Sequence, residues 1–158
     1  MSALKERLLD AEVRPALVRD CCQLIDQRVK SVRGITGVAV KGGYAAVKAI
    51  KSGFVEGVVE ALLDEWIDEM TSFEAEFHAA TGGPATFGEF LVAERGRVAE
   101  ALISVTDKRA VTTKHKTAAS IYNRLRKSSL GHVEEAIPDL VVLVGRHGGE
   151  VVRTDAAS

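Results

Sequence analysis

The sequence predicts an all-α fold, a single compact bundle of about six to seven helices, and two observations carry that expectation. Apolar residues recur at the spacing of one helix face along nearly the whole chain, and runs alternating with period two are absent. Start and stop signals punctuate the pattern at intervals suited to globular helices. At 158 residues with 46% hydrophobic composition, the chain has the size and apolar content for one domain with one core. The expected organisation is a helical domain over residues 1–149 and a disordered C-terminal tail over 150–158.

A short first helix over about Ala3–Leu9 should stop near Asp10, because Pro15 disfavours helical geometry at Arg14 and suits the first turn of a new helix. That second helix, running to about Ser31, places Leu17, Val18, Cys21, Ile25 and Val29 on one stripe. The third, about Ile35–Lys51, carries Ala39, Gly42, Gly43, Ala46 and Ala49, small side chains that let another helix approach closely. After Gly53 comes the strongest signal: Val55, Val59, Leu62, Trp66, Met70, Phe73 and Phe77 share a face. Thr71 with Glu74 has capping-box spacing and suggests a break there; Thr81-Gly82-Gly83-Pro84 is a loop; Thr86 with Glu89 starts the next helix. Thr106 or Asp107 is expected to cap the helix after that one. A basic segment comes next, and then a helix from about Ser129 to His147, bent at Pro138 and ended by Gly148-Gly149.

Composition excludes several function classes. A net charge of -1 points neither to a polyanion binder nor to a disordered acidic tail. Cys21 and Cys22 are adjacent and form neither a disulfide framework nor a zinc spacing, which fits a reducing compartment. The first ten residues lack the apolar core of a signal peptide, and the best membrane candidate, Ile35 to Ile50, is interrupted by Lys41 and Lys48. A cytoplasmic protein is the expectation.

Charge is segregated although it cancels in sum. Residues 27–55 carry +6, 56–94 carry -10 and 95–133 carry +7. Within the acidic block Glu56, Glu60, Asp64 and Asp68 recur every four residues, a ladder of like charges that destabilises a helix by roughly 0.2–0.5 kcal/mol per pair. Two readings offset it. Lys41, Lys48 and Lys51, or the later basic helix, lie beside the ladder within one chain; alternatively, acidic and basic faces of different subunits meet, in a salt-sensitive homo-oligomer or a docking module for another protein.

The motifs that carry chemistry are largely missing. Gly37-Val38-Ala39-Val40-Lys41-Gly42-Gly43 lacks the Lys-Ser/Thr ending of a phosphate loop. Lys41, Lys48 and Lys51 share a helix face opposite small apolar residues, the layout of an anionic-membrane binder, but alanine and glycine make poor anchors. The four histidines are scattered, with no metal-binding spacing, and no nucleophile signature occurs, so neither a cofactor nor a catalytic residue is implied. Cys21 and Cys22 point about 100° apart on a helix, so at least one faces the core. The segment with Lys114, Lys116, Arg124, Arg126 and Lys127 resembles a recognition helix and makes DNA a further possible partner, although the turn glycine of a helix-turn-helix is missing. No small-molecule ligand is identified.

Leu4-Lys5-Glu6-Arg7-Leu8-Leu9-Asp10, Arg14-Pro15-Ala16-Leu17-Val18, Val40-Lys41-Gly42-Gly43-Tyr44-Ala45-Ala46-Val47-Lys48 and Val105-Thr106-Asp107-Lys108-Arg109-Ala110 together resemble an uncharacterised family of small all-helical bacterial proteins, a domain of unknown function. The resemblance covers about residues 1–147. It implies a bacterial cytoplasmic origin and no activity, ligand or catalytic residue. The functional expectation is therefore an interaction or structural protein that self-associates through its acidic and basic faces, with membrane-surface and DNA binding as alternatives.

Overall fold

The computed structural model describes residues 2–153, and its elements are helices throughout: α1 (Ala3–Leu8), α2 (Arg14–Ser31), α3 (Gly34–Lys48), α4 (Phe54–Thr71), α5 (Glu74–Ala79), α6 (Phe87–Ala93), α7 (Arg95–Thr112) and α8 (Lys116–Gly148). The expected all-helical bundle is present, with five long helices and three short ones. Local chemistry accounts for the starts. Ser2 Oγ accepts the Lys5 N–H at 2.9 Å to cap α1, and Pro15 sits in the first turn of α2. Thr86 and Glu89 form the full capping box of α6.

Packing is organised around α8, which touches α1, α2, α3, α6 and α7, and around α4, which packs against α2 and α7. The core is one cluster that includes Phe77, Phe87 and Phe90, with ring centroids 5.7–6.4 Å apart, together with Leu4, Leu8, Leu91, Val98 and Ile137. Gly148 lets α1 lie directly on the end of α8, since a Cβ there would run into Leu4 and Leu8.

Three boundaries differ from the sequence expectation, each for a local reason. α7 runs through Thr106 and Asp107 without a break. Asp107 is not a cap: its Oδ1 accepts from Tyr122 Oη at 2.7 Å and Arg126 Nε at 2.8 Å across to α8. The basic segment and the final helix are one helix of 33 residues. Ser129 does not start it anew, because its hydroxyl donates to the Leu125 carbonyl one turn back, a bond a helix interior accommodates. Thr71 ends α4 by donating to the Ile67 carbonyl at 2.7 Å rather than by capping α5.

The tail expected to fray from residue 150 is instead tied down over Val151–Arg153, and residues 154–158 lie outside the described residues. The Val151 carbonyl accepts the Phe87 N–H at 2.8 Å, and Arg153 donates to the Ala80, Gly82 and Pro84 carbonyls of the loop before α6. The guanidinium also stacks over Phe77.

Candidate ligand cavity

Beside this core the packing leaves a gap. A cavity of about 730 Å³ lies among α2, α3, α4, α7 and α8, within the 300–1,000 Å³ range typical of small-molecule sites. Its walls are mainly aliphatic. Leu17, Leu24 and Ile25 come from α2, Val40 and Val47 from α3, Val58 and Leu62 from α4, Leu102 and Ile103 from α7, and Ile121, Leu125, Ala136 and Leu140 from α8. Trp66 adds an indole whose Nε1–H is satisfied by the Leu102 carbonyl at 3.1 Å.

α3 forms one wall and is held close to α8 by Gly43, where a Cβ would come within 2.8 Å of Leu125 Cδ1 and 3.1 Å of Ile121 Cγ2. Close approach through small residues therefore operates at Gly43. Ala39, Gly42, Ala46 and Ala49 instead face solvent, together with Ile35, 92% exposed, and Val38, 74% exposed. α3 is thus apolar on both sides, an unusual state for a helix that has solvent on one face. The exposed members of the cavity lining, Lys51, Gly57, Ala61, Arg109 and His115, lie together where α3 gives way to α4 and α7 to α8, and mark the opening. Arg109 Nη2 reaches the Ala61 carbonyl at 3.5 Å, and the His115 ring stands edge-on to Phe54 with centroids 4.9 Å apart.

Polar groups on the cavity wall are few and distinctive. Burial pushes the Cys21 thiol up to about 12, so it lines the cavity as a neutral hydrophobe. Burial likewise pushes the Tyr44 phenol up to about 12, helped by Asp26 beside it. Tyr122 is raised by burial and by its bond to Asp107. Arg28 of α2 and His132 of α8 stand apart from these. Arg28 Nη2 donates to Glu135 Oε2 at 3.0 Å, but Arg28 Nε and His132 Nε2 are sealed from solvent and have no hydrogen-bond partner among the described residues. Both side chains line the cavity.

The residues singled out from sequence lie elsewhere. In the acidic ladder, Arg14 of α2 bridges Glu60 and Asp64, donating through Nη1 to Asp64 Oδ1 at 2.6 Å and through Nε to Glu60, and Lys5 of α1 pairs with Asp68. Offsetting charge comes from within the chain, from Arg14 and Lys5 rather than from the lysines expected to do it. Lys41, Lys48 and Lys51 are exposed, and Lys48 reaches Asp26 at 3.8 Å. Of the basic segment, Arg126 is turned onto Asp107, whereas Lys114, Lys116, Arg124 and Lys127 are exposed with no carboxylate in ion-pair range among the described residues. Among those residues there is also no cluster of His, Cys, Asp and Glu fit to hold a metal, and no helix long and apolar enough to cross a membrane.

The model of a family of unknown function, DUF6918, matches residues 4–148. The chain belongs to that family. The match spans α1 through the end of α8, so the cavity and all five of its walls lie within the DUF6918 region. No curated protein and no solved structure matches the chain.

Proposed function

We propose that the protein is a binding protein for an elongated apolar small molecule, held in the cavity between α3 and the rest of the bundle. The observation that carries this reading is the cavity itself, about 730 Å³ with predominantly aliphatic walls. A half-open apolar space of that volume leaves the side chains that line it short of packing partners. Water fills such a space poorly, because it finds few polar partners there. An apolar guest restores the lost contacts and binds by the same burial that builds a core.

Displacement of a fluorescent polyene fatty acid from the full-length protein tests the proposal. Saturable binding at one site per chain is expected. Ala136→Phe, which puts a ring into the cavity, should weaken that binding at least tenfold while leaving Tm unchanged or higher. Absence of saturable binding by a chain that is folded by circular dichroism would sink the proposal.

A second reading has its own support. The outward Ile35 and Val38, beside exposed Lys41, supply the apolar anchors that the small residues of α3 lack, which favours a membrane-surface role for this helix. Pull-down with anionic vesicles, lost in Ile35→Ser/Val38→Ser, is the expected result. Self-association through acidic and basic faces draws less support, because Arg14 and Lys5 already pair with three of the four ladder carboxylates within the chain. DNA binding retains the unpaired Arg124 and Lys127, on a helix that is packed along α7 rather than projecting from a turn.

A further inference from the structure

Resting on the apolar-ligand reading, we propose that the cavity takes its guest directly from an anionic lipid bilayer, on which the outer face of α3 docks beside the cavity opening. One helix serves both purposes. The inner face of α3, with Val40 and Val47, is a cavity wall, whereas Ile35 and Val38 stand out into solvent on the other face. Helical spacing puts these two in line with Gly42, Ala45 and Ala49, all exposed, so an uncharged strip runs the length of α3. Its small residues keep it low, and Ile35 and Val38 are the side chains that can enter a lipid surface.

Charge decides which partner fits the strip. No aspartate or glutamate occurs between Asp26 and Glu56, whereas six Lys and Arg residues do. Lys30 and Lys48 share Asp26, and Arg28 pairs with Glu135. Arg33, Lys41 and Lys51 are exposed with no carboxylate in ion-pair range among the described residues.

Cations border the strip on both sides. Lys41 and Gly43 lie about 160° apart around α3, and Gly43 is the residue that packs on Ile121 and Leu125 of α8. Tyr122 and Arg126 of α8 turn to Asp107 of α7, which leaves the exposed Arg124 on the solvent side of the α3 contact, across the strip from Lys41. An apolar strip between two cationic borders fits an anionic bilayer, whose headgroups meet the cations while the aliphatic side chains enter between them. A second copy fits badly, because strip against strip would bring cationic borders together.

The opening adjoins this surface. α3 ends at Lys48, and Lys51 lines the opening with Arg109 and His115. Docking along α3 therefore brings the opening to the headgroups, where a guest enters without crossing bulk water. Two aliphatic anchors hold the protein only weakly, as a carrier that must leave again requires.

The experiment loads the full-length protein with the fluorescent polyene fatty acid and follows its transfer to vesicles that carry a quencher. The transfer rate should rise in proportion to vesicle concentration. It should be about tenfold or more faster into vesicles of phosphatidylcholine with phosphatidylglycerol than into phosphatidylcholine alone, an advantage that about 0.5 M salt removes. Ile35→Ser/Val38→Ser and Lys41→Gln/Arg124→Gln should each slow transfer into the anionic vesicles about fivefold or more. None of these four residues lines the cavity, so affinity for the polyene without vesicles should stay as in the parent. A rate independent of vesicle concentration and charge would mean that the guest passes through water, which overturns the proposal and leaves the apolar-ligand reading standing. Vesicle-dependent transfer that survives both double variants would place docking on another face and also overturn it. If the polyene does not bind the folded chain at all, the underlying reading fails and the proposal with it.

Discussion

Trp66 of α4 donates its indole Nε1–H to the Leu102 carbonyl of α7 at 3.1 Å, and both residues line the cavity. The bond ties α4 to α7 across the cavity wall. It takes a carbonyl of α7 that already serves the helix as a second acceptor, which a carbonyl's two lone pairs allow. Trp66→Phe removes the donor, and a net loss of about 0.5–1.5 kcal/mol is expected from the hydrogen bond. The midpoint of urea unfolding reads it directly. A variant as stable as the parent would show that α4 and α7 are held by apolar contact alone.

Arg14 bridging Glu60 and Asp64 relieves the acidic ladder on α4. Arg14→Ala leaves two carboxylates repelling at helical i,i+4 spacing, and stability should fall by about 0.5–1.5 kcal/mol at low salt. About 0.5 M salt should erase most of that difference, because these groups are accessible to screening ions. A loss independent of salt would mean that Arg14 acts through packing of its aliphatic stem instead.

Asp20 and His147 join α2 to the end of α8, with Nε2 2.6 Å from Oδ2. The His147 bond is the main cause that holds the Asp20 carboxyl below its ordinary 3.8, with Arg146 adding to it. An acid whose pKa is lower in the folded state stabilises the fold above its unfolded pKa, and that contribution disappears as pH falls through the folded value. Stability should therefore decline below about pH 4, and Asp20→Asn should be less stable than the parent at neutral pH while converging on it in acid. Curves that stay parallel down to about pH 2 would contradict this assignment.

Cys21 lines the cavity with its thiol pushed up to about 12 by burial, and Cys22 is raised by burial as well. Thiolate is the reactive form, so iodoacetamide at about pH 8 should modify neither at the rate of an exposed cysteine. Saturation with hexadecanoate should slow Cys21 further and leave Cys22 nearly unchanged. Equal slowing of both would point to global stabilisation rather than to occupancy beside Cys21.

Helix identity is legible in the sequence wherever a stripe and a cap agree, as at Pro15 of α2 or Thr86 and Glu89 of α6. Boundaries set by competition between two uses of one side chain are not. Asp107 and Ser129 have the residue types of caps, but in the fold each is used mid-helix, one across to α8 and one back to Leu125. The acidic ladder demands a counter-charge, yet Arg14 and Lys5 lie about 50 residues or more away along the chain, a distance that periodicity does not bridge.

The cavity is illegible for a deeper reason. Leu24, Val47, Leu62 and Ile121 form the same apolar stripes whether they meet a neighbouring helix or a gap, because the spacing of apolar residues fixes the direction a face points and not the distance to its neighbour.

The measurement that tests the central claim most directly is a titration of the full-length protein with hexadecanoate, below its micellar concentration, followed by fluorescence. Trp66 is the sole tryptophan and lies on the cavity wall. A filled cavity predicts a saturable change in its emission at one equivalent, a matching rise in Tm that grows with ligand concentration, and loss of both in Ala136→Phe. Emission that stays constant through the titration, with Tm unmoved, would contradict the cavity as a binding site.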